Sequence, residues 1–384
     1  MDKKMKQVLK IIGGFLIGIL MGLVVAGVGL VLFRDMSFSE YIGKFLRLNA
    51  MEVIGIPLLS LVFFLIAVSL QVVLHEAGHL VCGLASGYRF VSFRIFSFTW
   101  IRQGGKVRMK RFSVSGTGGQ CLLVPPEKPD EEIPVTLYNI GGVAMNFLTA
   151  FAALFPFLFI DGMPFLWKMF LIQFMGIGVF LGLLNGIPMK LGGIGNDAYS
   201  LRLLKRNPGT KRALVLQLRI NALIQEGMRP KEMPEAWFRL EGKIDYSDML
   251  QATVALMEIS RMQDREEWEE AYVRLEEAVS HSKELVGILK QEAEAELLFT
   301  ALVIGKEERA RELAIDKLVA YIRTYSKVSS AKQRQLFAIA LYMEHDKEKA
   351  EGIYRTVKAK RESYLMQGEV NMDLALMESL LSQC

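Results

Sequence analysis

Residues 53–74 form a run of 22 residues without a single charge, and three more runs of similar length occur at 11–33, 137–160 and 165–189, the last broken only by Lys168. A helix needs about 20 apolar residues to cross a bilayer. In lipid, only helices and closed barrels satisfy every backbone polar group. The runs therefore predict an α-helical integral membrane protein with four transmembrane helices. The mean hydropathy of +0.28 fits this. After Ala198 no run is long enough to span, and the composition shifts to Glu, Lys, Arg, Ala and Leu. A membrane half is expected to be followed by a soluble half.

Charge sets the expected topology. Lys3, Lys4, Lys6 and Lys10 precede the first run and place the N-terminus in the cytoplasm. That run is longer than a signal-peptide core, and no small-x-small cleavage site follows it. Gly14, Gly18 and Gly22 make a smooth stripe for helix packing, or are common filler. Residues 34–52 read as an external connection, with an interfacial amphipathic helix at 37–48. No acidic residue occurs between Ala77 and Pro126, whereas Arg89, Arg94, Arg102, Lys106, Arg108, Lys110 and Arg111 fall there. This segment is expected in the cytoplasm. As a loop joining two spans, it is not expected to bind nucleic acid. Asp161 to Pro164 makes an outer turn, and the fourth span returns the C-terminus to the cytoplasm. The expected location is a multi-pass protein of a bacterial plasma membrane.

The second run leads directly into His75-Glu76-Ala77-Gly78-His79. On a helix, residues four apart share a face, so the two imidazoles can ligate one Zn²⁺. Glu76, beside them, is placed to act as general base. Ionisable groups at the end of a membrane helix are costly unless functional. A catalytic zinc takes a third protein ligand. His281 and His345 lie in the soluble part and pattern as surface residues. Asp161 is a membrane thickness away. Asp197, just beyond the fourth span and on the side of His75, is the expected ligand; as a lone Asp it would otherwise read as a helix N-cap. Glu226 as a ligand, in another membrane HExxH type, is a weaker alternative. Cys82, Cys121 and Cys384 are far apart without a CxxC pair, which points to reduced thiols.

These motifs, with Gly141-Gly142-x-x-x-Asn146 and Asn185-x-x-Pro188 ahead of Asp197, resemble the site-2 protease (M50) family of intramembrane zinc metalloproteases. The resemblance covers about residues 53–199. It implies His75, His79 and Asp197 as zinc ligands and Glu76 as the catalytic base. It also implies a substrate-contacting or cleft-shaping role for Asn185 and Pro188, and matches Asn146 to a further position grouped with them. Two departures stand out: Ala198 follows Asp197 where the family has Gly, and the spacing from Pro188 to Asp197 is long. No PDZ-like insert or CBS-like tail is apparent.

The expected organisation is an N-terminal span and connection at 1–50, a protease core at 51–199 and a cytoplasmic all-α domain at 200–384. The core carries a cytoplasmic β-hairpin insert at about 87–134, with Gln103-Gly104-Gly105-Lys106 as a two-residue turn. That hairpin either offers an edge strand to an extended substrate or caps the cavity. In the helical domain Trp268-Glu269-Glu270-Ala271, Glu307-Glu308-Arg309-Ala310 and Lys347-Glu348-Lys349-Ala350 each open a second helix, the alanines 39 and 40 residues apart. A TPR-like helical repeat is expected, with an ordinary bundle as the alternative. The expected activity is hydrolysis of membrane-embedded or membrane-proximal peptides, from regulatory proteins or signal and pheromone peptides. A protein partner is expected for the helical domain. The alternative is a catalytically silent anchor presenting that domain to other proteins.

Overall fold

The computed structural model describes residues 54–103, 105–111, 118–191 and 194–383, together with Arg47 and Asn49. The expected first span at 11–33, its glycine stripe and, apart from Arg47, the interfacial segment at 37–48 lie outside the described residues. Three described helices have the length and composition to cross a membrane. These are α1 (Ile56–Ala85), α2 (Val135–Phe159) and α3 (Phe165–Gly186). Helix α1 runs on through the HExxH box. It stops where Gly87, at φ 84°, adopts the left-handed conformation that a side chain disfavours. Tyr88 N–H then donates to Gly83 O and Gly87 N–H to Leu84 O, closing the helix end.

The chain divides into two compact units. The first contains residues up to Leu70 and Ala152–Ile177. Its helices meet through Phe63 and Phe170, edge to face at 5.7 Å, and through Gln173 Nε2 donating to Ser60 Oγ at 2.6 Å. Leu65, Phe159, Phe165 and Trp167 are all more than half exposed. Large apolar side chains facing outward on helices with almost no charge suit lipid contact rather than water.

The second unit, Gln71–Phe151 with Gly178–Cys384, holds the sheet and the remaining helices. Strands β1 (Arg89–Ile95), β2 (Phe98–Gln103), β3 (Lys106–Arg111) and β4 (Gly119–Val124) form an antiparallel sheet in the order β3-β2-β1-β4. Gln103 pairs with Lys106, which closes the two-residue turn the sequence predicts. The insert is larger than the expected hairpin. β4 adds to the other edge of β1, where the sequence reads as a glycine-rich stretch running into a loop. Its Leu122 and Leu123 are buried against Val215 and Leu218, and burying this short apolar run is the reason for the fourth strand.

Beyond α3 a two-stranded ribbon, β5 (Lys190–Leu191) with β6 (Ile194–Gly195), precedes α4 (Asp197–Arg206) and α5 (Pro208–Glu226). Helix α5 supplies Val215 and Leu218 to the core under β4, and its Arg212 holds Asp130 at 2.8 Å. Then follow α6 (Met249–Asp264), α7 (Trp268–Ser280), α8 (Gly287–Val303), α9 (Glu307–Leu313), α10 (Asp316–Tyr325), α11 (Ser330–Ala338), α12 (Lys347–Ala359) and α13 (Gln367–Gln383). The three Ala-containing blocks open α7, α9 and α12, and Ala271, Ala310 and Ala350 are all buried where a helix needs a small residue to approach its neighbour. Ala310→Leu should therefore cost about 1–3 kcal/mol in denaturant unfolding through overpacking. The exposed Arg311→Leu next to it should change stability by no more than about 0.5 kcal/mol.

Candidate metal centre

The site starts on α1, where local helix geometry places two of its residues. His75 and His79, one turn apart, bring their Nε2 atoms to 3.2 Å of each other. Asp197 Oδ2 lies 3.1 Å from His75 Nε2 and 3.5 Å from His79 Nε2. Ligand atoms of the three residues all fall within 4.8 Å of one another, and among the described residues no other group of His, Cys, Asp and Glu comes together this way. Glu226, at the end of α5, is not in it.

Each imidazole is oriented from behind. His75 Nδ1 donates to Asn146 Oδ1 at 2.6 Å, and His79 Nδ1 donates to the backbone carbonyl of Tyr138 at 2.8 Å. Asn146 is fully buried, and its Nδ2 donates to both the carbonyl and Oε1 of Gln71, at 3.0 and 2.8 Å. Those two acceptors fix the amide so that its oxygen faces His75. With Nδ1 protonated on both rings, both Nε2 lone pairs point at Asp197. Asn146 thus sits behind His75 and does not line the cleft, unlike Asn185, with which the sequence resemblance groups it as substrate-contacting.

The paired glycines of α2 make this approach feasible. The backbones of Gly78 and Gly141 touch, so a side chain at either would collide with the other helix. A Cβ on Gly142 would lie 2.6 Å from Nε2 of both histidines. Asn146, one turn further on, is thereby brought level with His75.

Asp197 reaches the histidines because its neighbour takes the capping role. Asn196 is the N-cap of α4, accepting from Tyr199 N–H at 2.9 Å. Its Nδ2 donates to the carbonyls of Leu184 and Ile187 at 2.6 Å each, tying α4 to the end of α3. The competition foreseen for Asp197 between capping and ligation is resolved by this adjacent Asn. The long Pro188–Asp197 spacing has a simple cause. The β5–β6 ribbon pairs Lys190 with Gly195, so that Asn196 N–H donates to Met189 O at 3.1 Å. Asn196→Ala should cost about 1 kcal/mol of stability for the lost cap. It should also weaken metal uptake, by freeing Asp197 to drift; calorimetric titration of the purified variant measures this.

The donor set fits a zinc ion. Asp197 Oδ2 is buried without a hydrogen-bond donor. One carboxylate and two neutral imidazoles, three electron-pair donors facing one point, leave a buried demand for a cation.

Around this centre is a cleft of about 460 Å³, lined by Glu76, Tyr138, Asn185 and the Gly118–Cys121 edge of β4 among others. Glu76 sits beside β4: a Cβ on Gly119 would lie 2.9 Å from its Oε1. Buried Arg94 donates to Phe96 O and Gly119 O, at 3.1 and 3.3 Å, and so fixes that end of the strand. Tyr138 Oη donates to Cys121 O at 2.9 Å. Asn185 lines the cleft, while its Nδ2 donates to Leu181 O at 3.1 Å; Pro188 is exposed where α3 ends. Cys121 also lines the cleft but is not in the group of three converging residues, and burial pushes its thiol up to about 12. Gln71, Asn196 and Gly119 were not singled out from the sequence. Only Asn196, as an Asx residue preceding a helix, carried a readable signal.

The profile of peptidase family M50 matches residues 63–358. That segment contains every residue of the cleft and most of the helical region. No curated protein and no solved structure matches the chain.

Proposed function

Since the chain belongs to peptidase family M50, we propose that it is a membrane-embedded zinc metalloendopeptidase of the site-2 type, acting on membrane-embedded or membrane-proximal peptides. The observation that carries this reading is the convergence of His75, His79 and Asp197, with Glu76 in the same cleft. His75, His79 and Asp197 would hold the zinc. When bound, the ion supplies Lewis acidity, polarising the scissile carbonyl and lowering the pKa of the attacking water. Glu76 accepts the proton of that water and returns it to the leaving nitrogen. Asn146 and the Tyr138 carbonyl hold the imidazoles in the ligating tautomer. Asn185 and the β4 edge face the cleft, where an extended peptide can lie.

A helical substrate hides its carbonyls in internal hydrogen bonds and must unwind locally before attack. Strand β4 sits at the end of the sheet order, which supports backbone pairing with the unwound segment. The positive-inside rule supports a multi-pass protein of a bacterial plasma membrane, with the cleft and both termini on the cytoplasmic side. The helix-opening blocks with buried alanines support a helical-repeat domain that binds a partner protein.

Removal and return of the metal tests the reading. The purified protein in detergent should cleave a fluorogenic peptide with the composition of a transmembrane segment. A chelator should abolish cleavage, and about one equivalent of zinc should restore it. Undiminished cleavage after exhaustive chelation would sink the proposal.

A further inference from the structure

A second cavity, of about 240 Å³, lies within the helical region, walled by α5, α6, α8, α11 and α13. One wall is apolar, with Phe238, Met257 and Met372. The other carries charge. Arg334, only 1% exposed, donates through Nε to Asp373 at 2.6 Å and through Nη2 to Glu296 at 2.9 and 3.0 Å, and its guanidinium lies 4.0 Å over the Phe299 ring. Lys332 Nζ donates to Glu292 at 2.6 Å. Glu296 also accepts from Gln263 and Gln335, at 3.1 and 2.9 Å.

This network is incomplete in a specific way. Four carboxylates, Glu292, Glu296, Glu369 and Asp373, meet only two cations, Lys332 and Arg334. Glu369 lines the cavity and has no hydrogen-bond or ion-pair partner among the described residues. Burial and the neighbouring carboxylates Asp373, Glu292 and Glu296 push its carboxyl up to about 8. Two further polar atoms on fully buried, cavity-lining side chains are unpartnered: Gln263 Oε1, an acceptor, and Arg334 Nη1, a donor. Uncompensated buried polar groups destabilise a fold, and apolar residues of similar size would serve packing better.

We propose that this cavity binds the lysine or arginine side chain of a peptide segment, with Glu369 as the counter-ion. Gln263 Oε1 accepts from the bound cation, Arg334 Nη1 donates to a carbonyl of the same segment, and the apolar wall covers the methylene stem. A metal ion would use neither the apolar wall nor the guanidinium. Glu369 is the carboxyl left over once Lys332 and Arg334 are paired, so it selects a cation, whose arrival restores its charge, and the unpartnered donor selects one attached to a carbonyl. The site is remote in kind from the metal centre and does not rest on the proteolytic reading.

The test uses full-length protein in detergent and two fluorescein-labelled capped peptides of alanine and glutamine. One has Leu-Lys-Leu at its centre and the other Leu-Gln-Leu. Fluorescence polarisation should show saturable binding of the lysine peptide, and binding of the glutamine peptide weaker by on the order of tenfold or more. Glu369→Gln should remove that discrimination while leaving the melting temperature unchanged or raised, because a partnerless carboxyl has gone. Met257→Trp, which fills the cavity from its apolar side, should block the lysine peptide without touching any charge. Equal binding of the two peptides would overturn the proposal, as would no saturable binding of either. So would lysine-peptide binding that survives both Glu369→Gln and Met257→Trp. A Glu369→Gln protein that no longer melts cooperatively would assign that carboxylate to folding and overturn its role as counter-ion.

Discussion

Glu76→Gln is expected to lower peptide cleavage by about 10²–10⁴-fold, the range a positioned general base contributes, while zinc content stays at that of the wild type. The two halves of this result have separate causes. Glu76 lies next to His75 but outside the group of three candidate ligands, so removing its charge leaves those donors intact. Glutamine keeps the volume beside Gly119, where the strand leaves no spare room, so the cleft should keep its shape. What is lost is the group that accepts and returns the proton. Cleavage assays and metal analysis on the same preparation read both halves. A variant that cleaves at the wild-type rate would remove Glu76 from the mechanism. One that has also lost zinc would make it a ligand.

The second large effect concerns Asp197. Asp197→Ala should abolish stoichiometric zinc and cleavage together, since two imidazoles alone make a poor site for this ion. The loss should exceed the roughly 10–100-fold fall in metal affinity expected for Asn146→Ala, which removes only the group behind His75. The order of the two variants is the informative part. Asp197 faces both Nε2 atoms, whereas Asn146 touches one ring from its far side. If Asn146→Ala released zinc more completely than Asp197→Ala, the ligand assignment would have to be reversed. Isothermal titration with zinc in micelles ranks them.

The sequence shows part of this arrangement and hides the rest, for physical reasons. His75, Glu76 and His79 are legible because their relation is local: a helix places residues four apart on one face whatever the rest of the chain does. That Asp197 comes close to the histidines is reachable by a coarser argument, from which ends of the apolar runs are expected on the same side. Its neighbour was harder to assign, because Asn and Asp are both good N-caps and stand side by side at 196 and 197. Only the bonds of Asn196 to Leu184 and Ile187 show which of them ties the helices together. The β5–β6 ribbon is likewise invisible as a spacing, since a hairpin consumes residues without moving its ends apart. Strand β4 was masked by the glycines before it and the prolines after it. Yet Cys121-Leu122-Leu123-Val124 is a bounded apolar run, which a buried strand also produces. The placement of Asn146 depends on the close crossing at Gly78 and Gly141, a tertiary fact. Lys332 and Arg334 belong to residue types that normally sit at the surface, so nothing in the chain announces that both are buried.

The proposed chemistry turns on what His75, His79 and Asp197 hold. X-ray absorption at the zinc edge of the purified protein measures that directly. The expected spectrum has two imidazole nitrogens with oxygen completing the shell, all at about 2.0–2.2 Å, and it loses this pattern in Asp197→Ala. A sulfur scatterer at about 2.3 Å would place Cys121 or Cys82 in the site and contradict the assignment. So would an unchanged spectrum at full zinc content in Asp197→Ala.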